Sequence, residues 1–220
     1  MSRSLLALVV LSSGFTLGGC GSVELPAERL FALGLDTLPS AASGTLPSVD
    51  VLRVLDLQPT GAVDRDQPVT SQGVEFARAD LDRWLAPLDR LVTDALVLGL
   101  TRRRVAELVK GAADPGSERW QLHGRIVEFA AVVEPGSGSG AGPKPAGKSA
   151  RVKLELWLTA GDELLLRDEF AAVEPIAEGG TRAAVEALSR ALVAVVLQVE
   201  HRLRAVPPLP AGEVATSPGR

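Results

Sequence analysis

Eight residues, GPKPAGKS at positions 142–149, satisfy the pattern G-x-x-x-x-G-K-[ST] of a phosphate-binding loop. In such a loop Lys148 would hold phosphates and Ser149 a magnesium ion. That chemistry requires a helix directly after the loop, because the amides and dipole at a helix N-terminus hold the phosphates. After Ser149 the chain instead reads ARVKLELWLTAGDELLLRDEF. Val152, Leu154, Leu156 and Leu158 point one way; Arg151, Lys153, Glu155 and Trp157 point the other. That is the period of a strand. Pro143 and Pro145 also remove two backbone donors from any cradle. The stretch lies in a Gly/Ser/Pro run, EPGSGSGAGPKPAGKSA, and reads as the loop of a long hairpin. No nucleotide is expected.

The remaining reactive residues are few. His123 and His201 are the only histidines. Neither has an acid beside it at metal-ligand spacing, and His201 near a helix end suits the dipole. The run GSGSG lacks the serine that a nucleophile elbow needs at its third position, where Gly138 stands. Asp162-Glu163 and Asp168-Glu169 read as solvated charge on a turn and a strand. Arg102-Arg103-Arg104 could meet an acidic partner or lipid headgroups; a run this short reads more simply as a basic turn. No catalytic residue, cofactor site or metal site is expected. With 23 Lys+Arg against 27 Asp+Glu, the net charge of −4 gives no basic footprint for nucleic acid.

One reactive side chain does carry a reading. Cys20, the single cysteine, comes directly after MSRSLLALVVLSSGFTLGG. Arg3 supplies a positive start, and Leu5 to Leu17 is mostly apolar. As a helix at ~1.5 Å per residue that stretch spans about 20 Å, short of the ~30 Å hydrocarbon core. It therefore reads as a signal peptide over residues 1–19. Leu17-Gly18-Gly19-Cys20 resembles a bacterial lipobox, in which the cysteine thiol takes lipid through a thioether and becomes the new N-terminus. Two or three acyl chains anchor a protein stably, at ~0.8 kcal/mol per buried methylene. Gly21 stands where an Asp would retain a lipoprotein at the inner membrane, so the outer membrane is expected.

The elements that carry these residues can be placed in order. Residues 20–28 are a tether. A single domain is expected over 29–205, and 206–220 is a Pro-rich tail without a core. Strands are expected at Arg29–Leu35, Val49–Leu57, Val74–Arg78, Arg102–Val109 and Trp120–Val133, with a possible bulge at Gly124. The hairpin's second strand turns at Gly161-Asp162 into Leu164–Val173. Leu81, Trp84, Leu85, Leu88, Leu91, Val92, Ala95 and Leu96 recur at helical steps. They suggest a helix from Asp80, with Pro87 marking a bend or a later start. On that spacing Trp84 is a core residue. Gly179–Arg204 is a second helix, with Val185, Leu188, Leu192, Val195, Val196, Val199 and Leu203 along one face. The fold class expected is α+β: a mostly antiparallel sheet backed by two long helices.

One segment is more specific. Asp64-Arg65-x-Gln67, then Arg83-Trp84-x-x-Pro87-Leu88, then Trp120, Leu122, Gly124, Ile126 and Phe129, then Ala187-Leu188-Ser189, resembles the ABC-type transport auxiliary lipoprotein family. That family includes paraquat-inducible protein C. The likeness covers roughly residues 30–204. Thr70, Ser71 and Ala86 depart from its usual pattern. The resemblance implies a non-enzymatic, periplasm-facing component of a mammalian-cell-entry (MCE) type lipid transport system. Its partners would be an MCE-domain protein, a permease and a separate ATPase. Family members can assemble into rings. A different class, a periplasmic lipoprotein that chaperones or assembles outer-membrane components, stays open on sequence alone.

Overall fold

The alternation beyond Lys148 builds the centre of the sheet. The structure, a computed structural model, describes residues 27–42, 49–61, 63–72, 75–78, 81–134 and 147–207. Among these the chain forms β1 (Arg29–Phe31), β2 (Val49–Val54), β3 (Gln58–Pro59), β4 (Val69–Gln72), β5 (Glu75–Arg78) and β6 (Asp82–Trp84). Then come α1 (Leu88–Arg102), β7 (Ala106–Lys110), β8 (Trp120–Glu134), β9 (Gly147–Ala160), β10 (Glu163–Pro175) and α2 (Gly180–Arg204). Val152, Leu154, Leu156 and Leu158 on β9 are all buried, while the residues between them are half-buried.

The main sheet has the order β10-β9-β8-β2-β7. Along one edge β8 pairs antiparallel with β9 over its whole length. Along the other edge it pairs parallel with β2, β3 and β4 in turn. The sheet is therefore mixed, which corrects the expectation of a mostly antiparallel one. The cause is the connection: α1 lies between β2 and β7, and a crossover through a helix returns the chain parallel. The helices also differ in length, 15 residues in α1 and 25 in α2, so only the second is long.

Both helices cover one side of this sheet. Leu88, Val92, Leu96 and Leu100 of α1 meet Leu188, Leu192, Val196 and Val199 of α2 in a single apolar cluster. The helices cross closely at Gly99, where an added Cβ would stand 2.7 Å from a methyl of Val196. Gly124 is not the bulge; the register shift between β8 and β9 falls between Ile126 and Glu128. Gly124 is required by close approach instead. A Cβ there would lie 2.7 Å from the Glu155 carbonyl oxygen and 2.8 Å from Leu57.

The first helix begins at Leu88, not at Asp80, which lies outside the described residues. Pro87 is extended, with φ −48° and ψ 135°. Proline disfavours the helical region for the residue before it, so Ala86 could not continue a helix into it. The apolar spacing at 81, 84 and 85 also fits an extended chain. Asp82 and Trp84 turn in, whereas Leu81 and Leu85 stay exposed. Arg102 likewise ends α1 rather than opening a strand; the next strand starts at Ala106.

Candidate functional site

Lys148 and Ser149 lie on β9, opposite Val133 and Val132 of β8. A 14-residue strand stands where a phosphate loop needs its helix. Lys148 lines a groove of about 450 Å³ whose far wall is the start of α2, at Gly179, Gly180 and Thr181. Residues 142–146 and Cys20 lie outside the described residues.

The other flagged residues are occupied structurally. Arg103 donates to Glu200 at 2.5 Å and 3.2 Å and to the carbonyls of Pro39 and Ser40. Arg102 donates to the Leu35 carbonyl. The arginine run, read from sequence as a basic turn, instead ends α1, and Arg103 is paired within the chain with Glu200. Asp168 pairs with Arg202 at 2.8 Å, and Glu169 with Lys153 at 2.9 Å. His201 is exposed on the last turn of α2. Among the described residues no group of three His, Cys, Asp or Glu side chains could hold a metal ion.

The two halves of the diagnostic motif turn out to grip each other. Asp64 Oδ1 accepts the N–H groups of Asp66 and Gln67 at 2.9 Å and 3.0 Å, which folds the loop. The folded loop then offers its carbonyls: Asp66 accepts the N–H of Trp84 at 2.9 Å, and Arg65 accepts the N–H of Leu88 at 2.8 Å. The second bond satisfies one of the free donors at the start of α1, where Pro87 supplies no side-chain cap. The Arg65 guanidinium grips Asp89 in the first helical turn through two bonds, at 3.0 Å and 2.7 Å. Gln67 faces the guanidinium of Arg83. Trp84 is 5% exposed and meets Phe129 edge-on, with ring centroids 6.0 Å apart. It is core, as its spacing suggested, although it is carried on a strand.

The side of β8–β10 away from the helices presents a different surface. Trp157 stacks on His123, with centroids 5.9 Å apart and planes 8° from parallel. Arg125 lies over the indole at 6.0 Å. Glu155 bridges two arginines, at 2.8 Å to Arg125 and 2.6 Å to Arg167. The Arg167 hydrogen bond, aided by the charge of Arg125, holds the Glu155 carboxyl below its usual range despite desolvation. Burial holds the His123 pKa below its ordinary value. Its Nε2 lies 3.3 Å from Thr159 Oγ1. Trp, Arg and a preordered ion-pair network suit a binding surface. Sequence reasoning put Trp157 on the outer face but missed this platform, because His123 and Arg125 reach it only through the β8–β9 register.

Comparison with known proteins agrees with this frame. An uncharacterized protein of known crystal structure shares the fold with a TM-score of 0.62 at 14% identity, over 81% of this chain and 99% of its own. A Xanthomonas campestris protein of the DUF330 family gives a TM-score of 0.62 at 14% identity, over 78% of this chain and 92% of its own. No curated protein matches the chain. The family model for the ABC-type transport auxiliary lipoprotein component matches residues 32–200, which take in β2 through most of α2 and contain both halves of the clamp. The chain therefore belongs to the ABC-type transport auxiliary lipoprotein family.

Proposed function

We propose that the chain is acylated at Cys20, anchored in the outer membrane facing the periplasm, and serves without catalysis as an adaptor of an MCE-type ABC lipid transport system. In this reading residues 1–19 are removed, 20–28 form the tether, 29–205 the domain and 206–220 a tail. The partner is an MCE-domain protein, itself linked to a permease and an ATPase. The family description, a transport auxiliary component, supports a role through binding. The observation that carries it is the side of β8–β10 that no described helix covers, where Trp157, His123, Arg125, Glu155 and Arg167 form one preordered surface.

The test is a pull-down of the tagged full chain from membranes, read by mass spectrometry. Wild type should recover an MCE-domain protein. Trp157→Ala should lose that recovery several-fold while keeping a near wild-type melting temperature, since Trp157 is half-buried and outside the apolar cluster. Cys20→Ala should lack acyl mass and leave the membrane fraction. Recovery of only outer-membrane assembly factors, with lipid transport unchanged on deletion, would overturn the transport reading.

A further inference from the structure

β1 and β6 form a small parallel sheet of their own, in which Arg29, Leu30 and Phe31 stand opposite Asp82, Arg83 and Trp84. Its two sides differ. Asp82 and Trp84 turn inward and are 1% and 5% exposed. Leu81 and Leu85 flank Arg83 two residues away on either side. The ladder continues through both: Arg29 N–H donates to Leu81 C=O, and Leu85 N–H donates to Phe31 C=O. By the alternation of an extended chain, Leu81, Arg83 and Leu85 share the outer side with Leu30. Leu30 and Leu85 are 61% and 62% exposed, and Leu81 38%. Three leucines grouped on one outward side mark an interaction surface.

The occupant of that surface is indicated by where the chain enters it. Cys20 lies nine residues before Arg29. At ~3.3–3.6 Å per residue, even a fully extended tether reaches only about 30–32 Å. We infer that the Leu30/Leu81/Leu85 side rests on the bilayer that holds the anchor; this rests on the acylation of Cys20 proposed above. Apolar side chains sink into the boundary between headgroups and acyl chains, and basic neighbours suit lipid phosphates. Arg83, opposite Leu30 in the ladder, lies on the leucines' side. The acyl chains supply the affinity, so the leucines set orientation. Thr181, at the start of α2, faces Asp82 beside this surface. Leu203, at the other end of α2, lies with Leu158 and Trp120. At ~1.5 Å per residue the helix spans roughly 33 Å between them. The β9–β10 turn at Gly161 is then held away from the lipid.

The experiment uses the acylated full chain in vesicles of phosphatidylethanolamine and phosphatidylglycerol. Acylation consumes the native thiol, so Leu85→Cys provides a unique site for an NBD label; Leu164→Cys, beside the Gly161 turn, provides the comparator. The result expected is a blue-shifted emission at residue 85 that loses most of its intensity to doxyl-labelled lipid, with neither effect at residue 164. Should Leu85→Cys fail to fold, Leu30→Cys carries the same readout. Equal quenching at both sites, or none at residue 85, in protein that carries acyl mass and floats with the vesicles overturns this inference alone. A blue shift at residue 85 without lipid quenching assigns the surface to a second copy or another protein and also overturns it. Protein without acyl mass that does not float overturns the anchoring as well.

Discussion

Glu118 illustrates how single side chains hold this fold. It accepts from Arg53 at 2.5 Å and from Lys110 at 2.6 Å, while Arg53 also donates to the carbonyls of Ala112, Asp114 and Gly116. The hydrogen bonds from Arg53 and Lys110 pull the carboxyl from 4.5 down to about 2. A depressed carboxyl binds fewer protons folded than unfolded between those two values. Its stabilisation is therefore complete above pH 4.5 and lost as pH falls towards about 2. Thermal melts from pH 7 to 2 should show Glu118→Gln melting lower at pH 7 and declining less steeply below pH 4.5; equal slopes would count against the role. Trp84 is a second case. Its truncation to Ala should cost about 3–5 kcal/mol in denaturant unfolding. Its indole N–H has no hydrogen-bond partner among the described residues, so Trp84→Phe should cost clearly less.

At the scale of elements, the closeness of α1 and α2 is decided at Gly99. Ala in place of a helical Gly gains up to about 1 kcal/mol from propensity alone. The overlap of its Cβ with both Val196 methyls, at 2.7 Å and 3.3 Å, costs about 1–3 kcal/mol and should win. Gly99→Ala should thus destabilise, and Val196→Ala should relieve it; additive losses in the double mutant would show that the two sites are uncoupled. This scale also shows what sequence can and cannot reveal. The limits of α2 and the β9–β10 hairpin were legible, because 3.6-residue and two-residue periods continue there without interruption. Leu81–Leu88 was not, because its spacing serves both periods and Pro87 alone separates them. The parallel edge of β8 was hidden too: strands as short as Gln58–Pro59 carry no period, and their pairing depends on a partner some 67 residues away. The clamp motif was visible as letters, but its meaning as two backbone hydrogen bonds and an ion pair needed coordinates.

Across the whole molecule, the two sides of the sheet differ: one packs the core against the helices, and the other is the surface proposed above for partners. The Arg29–Asp82 pair gains a further significance from the tether. With the anchor proposed at Cys20, a pull between the membrane and a bound partner would enter the domain at β1, three residues long and joined to β6. Tension at residue 28 must first work against the two bonds from Arg29 to Asp82, at 2.6 Å and 2.8 Å, and the backbone bonds at Leu81 and Phe31. On that anchor β1 would act as a mechanical fuse. Stretched from its N-terminus in an optical trap, the domain should release a short segment before the main rupture, and Asp82→Ala should lower the force of that first step while changing the second less. A single rupture at the same force in both proteins would mean that strain passes straight to the core. If the fuse yields first, a moving partner can lengthen the leash by several residues without unfolding the surface it holds.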